Sequence, residues 1–309
     1  MLLKGTVAAA IATLAAQTAT ALPLEGDVSP KIVGGVDSPE GSFPFLVSLS
    51  SGGRHFCGGS LLNEDTILTA SHCFEKPLQQ LQVRAGSNDR TTGGQVSGVI
   101  DIIRHPQYNP TTHDNDVAIL KISPPVNKNA AVEFAKLAQE GTYPKPGQKR
   151  VAGWGQIQPG SPSGLPPPTK KREVEVNSMT HPQCQQIYQW RNLAVTGNMV
   201  CAKAQGKDSC SGDSGGPLLD ASTGELEGVV SWGLGCADQQ FPAVYAAMTV
   251  ETSHGGVPIY PLGGYVHPIN PGGGGTDPDD FNPSEDRIDP GVQLIRDVQV
   301  SYDAVFQIF

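Results

Sequence analysis

The sequence predicts an all-β protein, on two observations. Between Ile32 and Tyr245 the apolar residues fall in short alternating or β-branched runs with turn residues between nearly all of them. The chain is also rich in the residues that make turns, with 37 glycines and 26 prolines, although a fair share of both falls after Thr249. Short strands at such spacing build an antiparallel sandwich or barrel. Apolar content of 38%, with aromatics in every third of the chain, is enough for a sizeable core.

Taken in order, Met1 to Ala21 opens with Lys4, continues through a short apolar run from Val7 to Ala16 and ends on small residues, the pattern of a secretory signal. Leu22 to Lys31 then reads as a short propeptide ending in lysine. The expected strands are Phe45 to Ser50, Thr66 to Ala70, Gln95 to Arg104, Ala118 to Ile122, Arg150 to Trp154, Lys171 to Val176 and Glu227 to Trp232. Pro182 to Tyr188 alone invites a helix, opened by its proline. Gln158 to Thr169, containing Pro166-Pro167-Pro168, reads as an exposed loop. Beyond Thr249 the composition changes: nine acidic and two basic residues from Val250 to Phe309 place −7 of the chain's −9 charge there. The remainder is nearly neutral and carries no basic patch, so no nucleic-acid partner is implied. Outside the N-terminus no run approaches the ~18 apolar residues of a membrane span.

One stretch is built for chemistry: Lys207-Asp208-Ser209-Cys210-Ser211-Gly212-Asp213-Ser214-Gly215-Gly216-Pro217. A serine hydroxyl is a poor nucleophile unless a base adjoins it, and the oxyanion it generates needs preorganised N–H donors. Gly212, without a Cβ, can take the backbone angles that turn its own N–H and that of Ser214 toward one point. A bare Gly-Asp-Ser-Gly would by itself be read as a surface turn. The six cysteines, Cys57, Cys73, Cys184, Cys201, Cys210 and Cys236, fit three bridges with fifteen possible pairings, in an oxidising compartment. None lies in the spacing of a zinc site, and no metal is expected.

Gly212 to Pro217 resembles the nucleophile segment of the chymotrypsin/trypsin family of serine proteases. Ile32-Val33-Gly34-Gly35 is similar to that family's mature N-terminus, Leu68-Thr69-Ala70-Ser71-His72-Cys73 to its histidine segment, and Asp114-Asn115-Asp116-Val117-Ala118-Ile119-Leu120-Lys121 to its aspartate segment. The four come in the family's order, and the resemblance runs from Ile32 to about Tyr245. It implies two six-stranded antiparallel barrels meeting near residue 140, with the active site between them. It further implies a triad of His72, Asp116 and Ser214, an oxyanion hole from the N–H groups of Gly212 and Ser214, and bridges Cys57–Cys73, Cys184–Cys201 and Cys210–Cys236. Asp114 competes for the aspartate role, but in the family that residue immediately precedes the apolar run, as Asp116 does. Ser71 departs from the family's usual alanine, a small change expected to matter little.

The same resemblance implies the specificity and its control. Asp208, six residues before Ser214, stands where trypsins carry the acid that selects lysine or arginine. Ser231-Trp232-Gly233 resembles the strand that pairs with substrate backbone, Tyr188 is expected at the border of the pocket, and Ala243 stands where trypsins have a pocket-lining glycine. A cut at Lys31-Ile32 would free the Ile32 ammonium to pair with Asp213, making the uncut chain a zymogen. No cofactor is expected, and the region Ala85 to Val99, whose only acid is Asp89, does not resemble a calcium loop.

The resemblance fails after Thr249, where the family's final helix is not recognisable. Val250 to Phe309 is rich in glycine, proline and aspartate and expected to be disordered, or the product of a reading frame running past the true end. Its last apolar residues, Leu294 to Phe309, also fit a stripe that could replace the helix. Two functions of different class follow: a secreted endopeptidase acting as a monomer on proteins or peptides and open to protein protease inhibitors, or an inactive homologue serving as a binding module.

Overall fold

The computed structural model describes residues 32–75, 80–138, 144–157 and 168–248. The expected signal, propeptide and tail, the junction near residue 140 and most of the 158–169 loop lie outside them.

After a short strand β1 (Val36–Asp37) come β2 (Leu46–Ser51), β3 (Arg54–Leu61), β4 (Thr66–Thr69), β5 (Leu81–Ala85), β6 (Gln95–Arg104) and β7 (Ala118–Ser123). These last six close into a barrel in the order β2-β3-β4-β7-β6-β5. The second half gives β8 (Gly147–Gly153), β9 (Arg172–Ser178), the helix α1 (His181–Gln189), β10 (Met199–Lys203), β11 (Pro217–Asp220), β12 (Leu226–Trp232) and β13 (Ala243–Ala247). Here β8-β9-β10-β13-β12-β11 close back on β8, and β1 adds to the edge of β9 as a seventh strand. All pairings within both barrels are antiparallel.

The sequence pattern explains the elements. In β9 the residues Arg172, Val174, Val176 and Ser178 are buried while Glu173, Glu175 and Asn177 face outward, the two-residue period of a strand with one wet face. In β4 the run Thr66-Ile67-Leu68-Thr69 is buried throughout because it lies between β3 and β7. Helix α1 starts where the sequence places it: the Gln183 side-chain carbonyl accepts the N–H of Thr180 at 3.0 Å, satisfying a donor at the helix entry. The bridge Cys184–Cys201 fastens this helix to β10.

The barrels share an apolar core. Phe43, Leu61 and Leu68 from the first half cluster with Trp154, Leu219, Val229 and Met248 from the second.

Candidate active site

His72 sits in a 3-10 turn, Ser71–Phe74, that leaves the end of β4. Two anchors fix that turn. The bridge Cys57–Cys73 ties it to β3, and the fully buried Ser71 donates its hydroxyl to the Val117 carbonyl at 2.5 Å. The serine that looks inconsequential in sequence therefore connects the histidine turn to the segment carrying Asp116.

Asp116 lies just ahead of β7 and is fully buried. Its Oδ1 accepts the His72 backbone N–H at 2.9 Å, and its Oδ2 accepts the imidazole Nδ1–H at 2.7 Å. Oδ2 also accepts the Ser231 hydroxyl at 2.5 Å. Burial pushes this carboxyl up, but the hydrogen bonds from His72 and Ser231 more than offset it and hold the group below its usual range. Asp116 is thus ionised at neutral pH, and because its Oδ2 can only accept, the imidazole carries a proton on Nδ1. Asp114 is engaged elsewhere. Its Oδ1 accepts the Thr196 hydroxyl at 2.5 Å and the Asn198 amide at 3.1 Å, joining the two halves of the molecule.

The backbone at Ser214 is held between the two barrels. The Gly58 N–H donates to the Ser214 carbonyl at 2.7 Å, and the Gly215 N–H to the Val230 carbonyl at 2.8 Å, one residue before Ser231. Gly215 holds φ +78°, and a Cβ there would stand 2.2 Å from Thr69 Oγ1. Only glycine permits this approach to the strand that leads into His72.

At Gly212 φ is +102°, and a Cβ would meet the Gly155 Cα at 3.1 Å. The Asp213 N–H donates to the Cys210 carbonyl, whereas the N–H groups on either side, of Gly212 and Ser214, have no acceptor among the described residues. Two donors kept free beside a serine are what an oxyanion requires. Holding Gly212 is His55, a residue that no sequence motif singles out. Its Nε2 lies 2.9 Å from the Gly212 carbonyl and its Nδ1 2.8 Å from Ser48 Oγ. A carbonyl can only accept, so Nε2 carries the proton and Ser48 donates to Nδ1. Burial lowers the His55 pKa to about 4, so the ring stays neutral in this role.

Asp213 itself is fully buried, its Oδ1 accepting the Gly155 N–H at 2.7 Å and its Oδ2 the Cys210 N–H at 2.9 Å. A Cβ at Gly153 or Gly155 would stand 2.2 or 2.3 Å from its carboxylate oxygens, so these two glycines form the cradle. Burial raises the Asp213 pKa to about 7. Ile32 is fully buried in the second barrel's core, and the neighbouring Val33 carbonyl accepts the Asp208 N–H at 3.0 Å.

Asp208 is 3% exposed; its Oδ2 accepts the Ala237 N–H at 2.8 Å, and its Oδ1 is buried without a partner among the described residues. Burial raises its pKa to about 6, against the pull of the Ala237 and Ser209 N–H groups. The bridge Cys210–Cys236 holds the two segments that meet here. Ala243 shares a face of β13 with Tyr245, whose hydroxyl lies 3.2 Å from Ser209 Oγ, next to Asp208. Gly233 follows β12, and a Cβ there would reach the Ala243 Cα at 3.7 Å. Ser231 turns its hydroxyl to Asp116, because β12 alternates and this position faces the first barrel. Tyr188, expected at the border of the pocket, is fully buried; it packs against Trp232 and Phe241 and donates to the Pro242 carbonyl at 2.5 Å.

Cys57, His72 and Cys73 lie together, but both thiols are spent in a disulfide and offer no metal ligand. The bridges Cys57–Cys73, Cys184–Cys201 and Cys210–Cys236 leave no free cysteine among the described residues.

A sequence profile of the family described as Trypsin matches residues 32–252. The chain is 40% identical to "Trypsin alpha" of Drosophila melanogaster over 226 residues, spanning 72% of this chain and 85% of that protein. It is 43% identical to "Trypsin 5G1" of Aedes aegypti over 222 residues, 71% of this chain and 81% of the relative. It is 40% identical to "Trypsin delta" of Drosophila melanogaster over 218 residues, 70% and 83% of the two. With its two closed barrels and these matches, the chain belongs to the chymotrypsin/trypsin family of serine endopeptidases, hydrolases acting on protein or peptide substrates.

Proposed function

We propose that this endopeptidase is secreted, is made as a zymogen and cleaves after lysine or arginine. Residues 1–21 are the signal, 22–31 the propeptide, 32–249 the protease and 250–309 an appended tail. The observation that carries the specificity is Asp208, a buried carboxylate with one oxygen unpartnered. A native interior rarely leaves such an atom unsatisfied, and a substrate ammonium or guanidinium supplies the missing donor and the missing charge.

In the proposed mechanism Ser214 Oγ attacks the scissile carbonyl carbon while its proton passes to His72 Nε2. The carbonyl oxygen becomes an oxyanion held by the Gly212 and Ser214 N–H groups. As the C–N bond breaks, His72 returns the proton to the leaving amine and Ser214 keeps the acyl group as an ester. Water, deprotonated by His72, then releases the acid and restores the serine. Asp116 remains ionised throughout and stabilises the imidazolium. A fluorophosphonate probe tests the reading: protein cut at Lys31 should be labelled at Ser214 and lose activity in proportion. Absence of labelling after a clean cut would instead favour the binding module.

Ser231 acts through Asp116. Hydrogen bonds to charged groups contribute about 1.5–3 kcal/mol, so Ser231→Ala should lower kcat about tenfold or more with little change in KM. A rise in KM at constant kcat would return Ser231 to a substrate-binding role.

Ala243 shapes the choice between the two cations. Its methyl takes space beside Asp208, and overfilling a packed site costs about 1–3 kcal/mol. A planar guanidinium needs width to engage the carboxylate with two nitrogens, whereas an ammonium reaches it singly or through water. Ala243→Gly should therefore raise kcat/KM about tenfold for an arginine substrate and less for its lysine counterpart. An unchanged arginine-to-lysine ratio would show that the methyl lies outside the pocket.

A further inference from the structure

Arg172 is buried on a strand face that is otherwise largely apolar. On the inward side of β9 it is followed by Val174 and Val176, and it is 3% exposed. A guanidinium does not shed its charge, so burying one is costly unless its donors are paired. Here the pairing is incomplete. One terminal nitrogen donates to Asp37 Oδ1 and the other to the Gly35 carbonyl at 3.1 Å, while Nε is buried with no acceptor among the described residues. The Asp37 side chain is 62% exposed, so solvent screens its charge and it offsets little of that cost. An apolar residue would serve the barrel better than this arginine, which points to a role outside the core.

Both acceptors lie on the segment that runs from Ile32 into β1. Gly35 is the pivot of that segment: its N–H donates to the Ile32 carbonyl at 2.6 Å, closing the turn whose first side chain is fully buried. Gly34, inside the turn, holds φ +70°, and a Cβ there would stand 2.2 Å from the Gly206 carbonyl oxygen. The turn is therefore wedged against the stretch that leads into Asp208 and gripped by Arg172. Val36 is paired with Glu173 along the β1–β9 ladder, but Gly35 precedes that ladder. On its other side, the register of β9 with β8 sets Arg172 opposite Gly153, one of the two glycines that make room for the Asp213 carboxylate. One side chain thus ties the strand beside the carboxylate's cradle to the segment that would carry its cation.

We propose that Arg172 is a positioning residue for activation: it fixes Gly35, so that the ammonium freed at Ile32 is delivered to Asp213. The role rests on the proposed activation by a cut at Lys31, and the experiment tells the failure of one from the failure of the other.

The experiment reads the reactivity of the Ile32 amine in full-length Ser214→Ala protein cut at Lys31 by an added protease, so that hydrolysis plays no part. Potassium cyanate carbamylates the amine, and mass spectrometry of the peptide beginning at Ile32 gives the rate. A seated terminus reacts only when it swings out. With Arg172 in place the rate should lie more than about a hundredfold below that of the same peptide free in solution. Adding Arg172→Met should raise it about tenfold or more, since a hydrogen bond from a charged group is lost. Arg172→Lys, with one nitrogen for two acceptors, should fall between. Asp37→Asn, which changes an exposed acid and leaves the Gly35 tie, should raise the rate about threefold and serves if Arg172→Met does not fold. In each variant the gap between the melting temperatures of cut and uncut protein should narrow, whereas an arginine that only supported the barrel would lower both together. Unchanged cyanate rates in the Arg172 and Asp37 variants would overturn the role of Arg172 and leave the activation standing. A terminus as reactive as the free peptide while Arg172 is present would end both.

Discussion

Asp208→Asn should leave a folded protein that has lost cleavage after lysine and arginine. Asparagine keeps the shape of the carboxylate and can still accept the Ala237 N–H, which lies 2.8 Å from Oδ2. What disappears is the charge waiting at the unpartnered Oδ1. Truncating one partner of a buried charge pair costs about 2–5 kcal/mol, so kcat/KM for cationic substrates should fall about a thousandfold. Thermal stability should hold or rise, because the unbound pocket no longer confines an unpaired carboxylate. The pH dependence has a definite sign. Burial raises the free carboxyl to about 6, and a bound cation favours its ionised form. Below pH 6 a proton competes with the substrate, so KM for lysine and arginine amides should climb as pH falls through that value. In Asp208→Asn this limb should vanish. Matched amide substrates measured from pH 5 to 8 give both results, and an undiminished kcat/KM in the variant would move the specificity determinant elsewhere.

The parts of the site legible in sequence are those whose partners lie close along the chain or whose pattern is local. Gly212, Asp213 and Ser214 occupy one short turn, and strands such as β6 and β12 announce themselves by alternation and β-branching. Asp116 could be preferred over Asp114 because the family that its segment resembles places the aspartate directly before an apolar run, here the one that becomes β7. What stayed hidden depends on strand register. Ser231 and Asp116 are 115 residues apart, and nothing in Val230-Ser231-Trp232 says that the hydroxyl faces the other barrel. His55 in Arg54-His55-Phe56 reads as an ordinary strand histidine until β3 passes behind the nucleophile turn. Gly153 and Gly155 look like the frayed end of a strand, although their missing side chains are the space that the Asp213 carboxylate fills. Lys149 looks like a solvent-facing lysine, yet it is fully buried because β8 sets it opposite Asp220, with Nζ 2.9 Å from Oδ2 and 2.5 Å from Glu227 Oε2.

Cutting Lys31-Ile32 should stabilise the protein as well as activate it, and the gain should grow with pH. In the uncut chain Ile32 is held at φ +30°, a strained angle for a β-branched residue, while its side chain is fully buried. Removing the preceding residue abolishes that torsional constraint and turns the Ile32 amide into an ammonium. The natural partner is Asp213, which accepts two N–H groups but faces no cation among the described residues, and whose pKa burial lifts to about 7. A carboxyl raised in the folded state contributes stability that is complete below its unfolded value near 4 and lost as pH rises through about 7. The uncut protein should therefore lose stability across pH 4 to 7 by this group, whereas the cut protein, with the charge paired, should not. Breaking such a pair costs about 3–5 kcal/mol, which sets the expected gap between the two forms at pH 8. The comparison is made on Ser214→Ala protein before and after cleavage by an added protease, so that neither form digests itself. In the active background Asp213→Asn should reproduce the uncut state. It leaves the ammonium unpaired, loosens the turn that carries the Gly212 N–H, and lowers kcat/KM by about two to three orders of magnitude at 1.4 kcal/mol per tenfold. Coincident melting curves for cut and uncut protein at pH 8, or full activity in Asp213→Asn, would mean that Ile32 does not control the oxyanion hole.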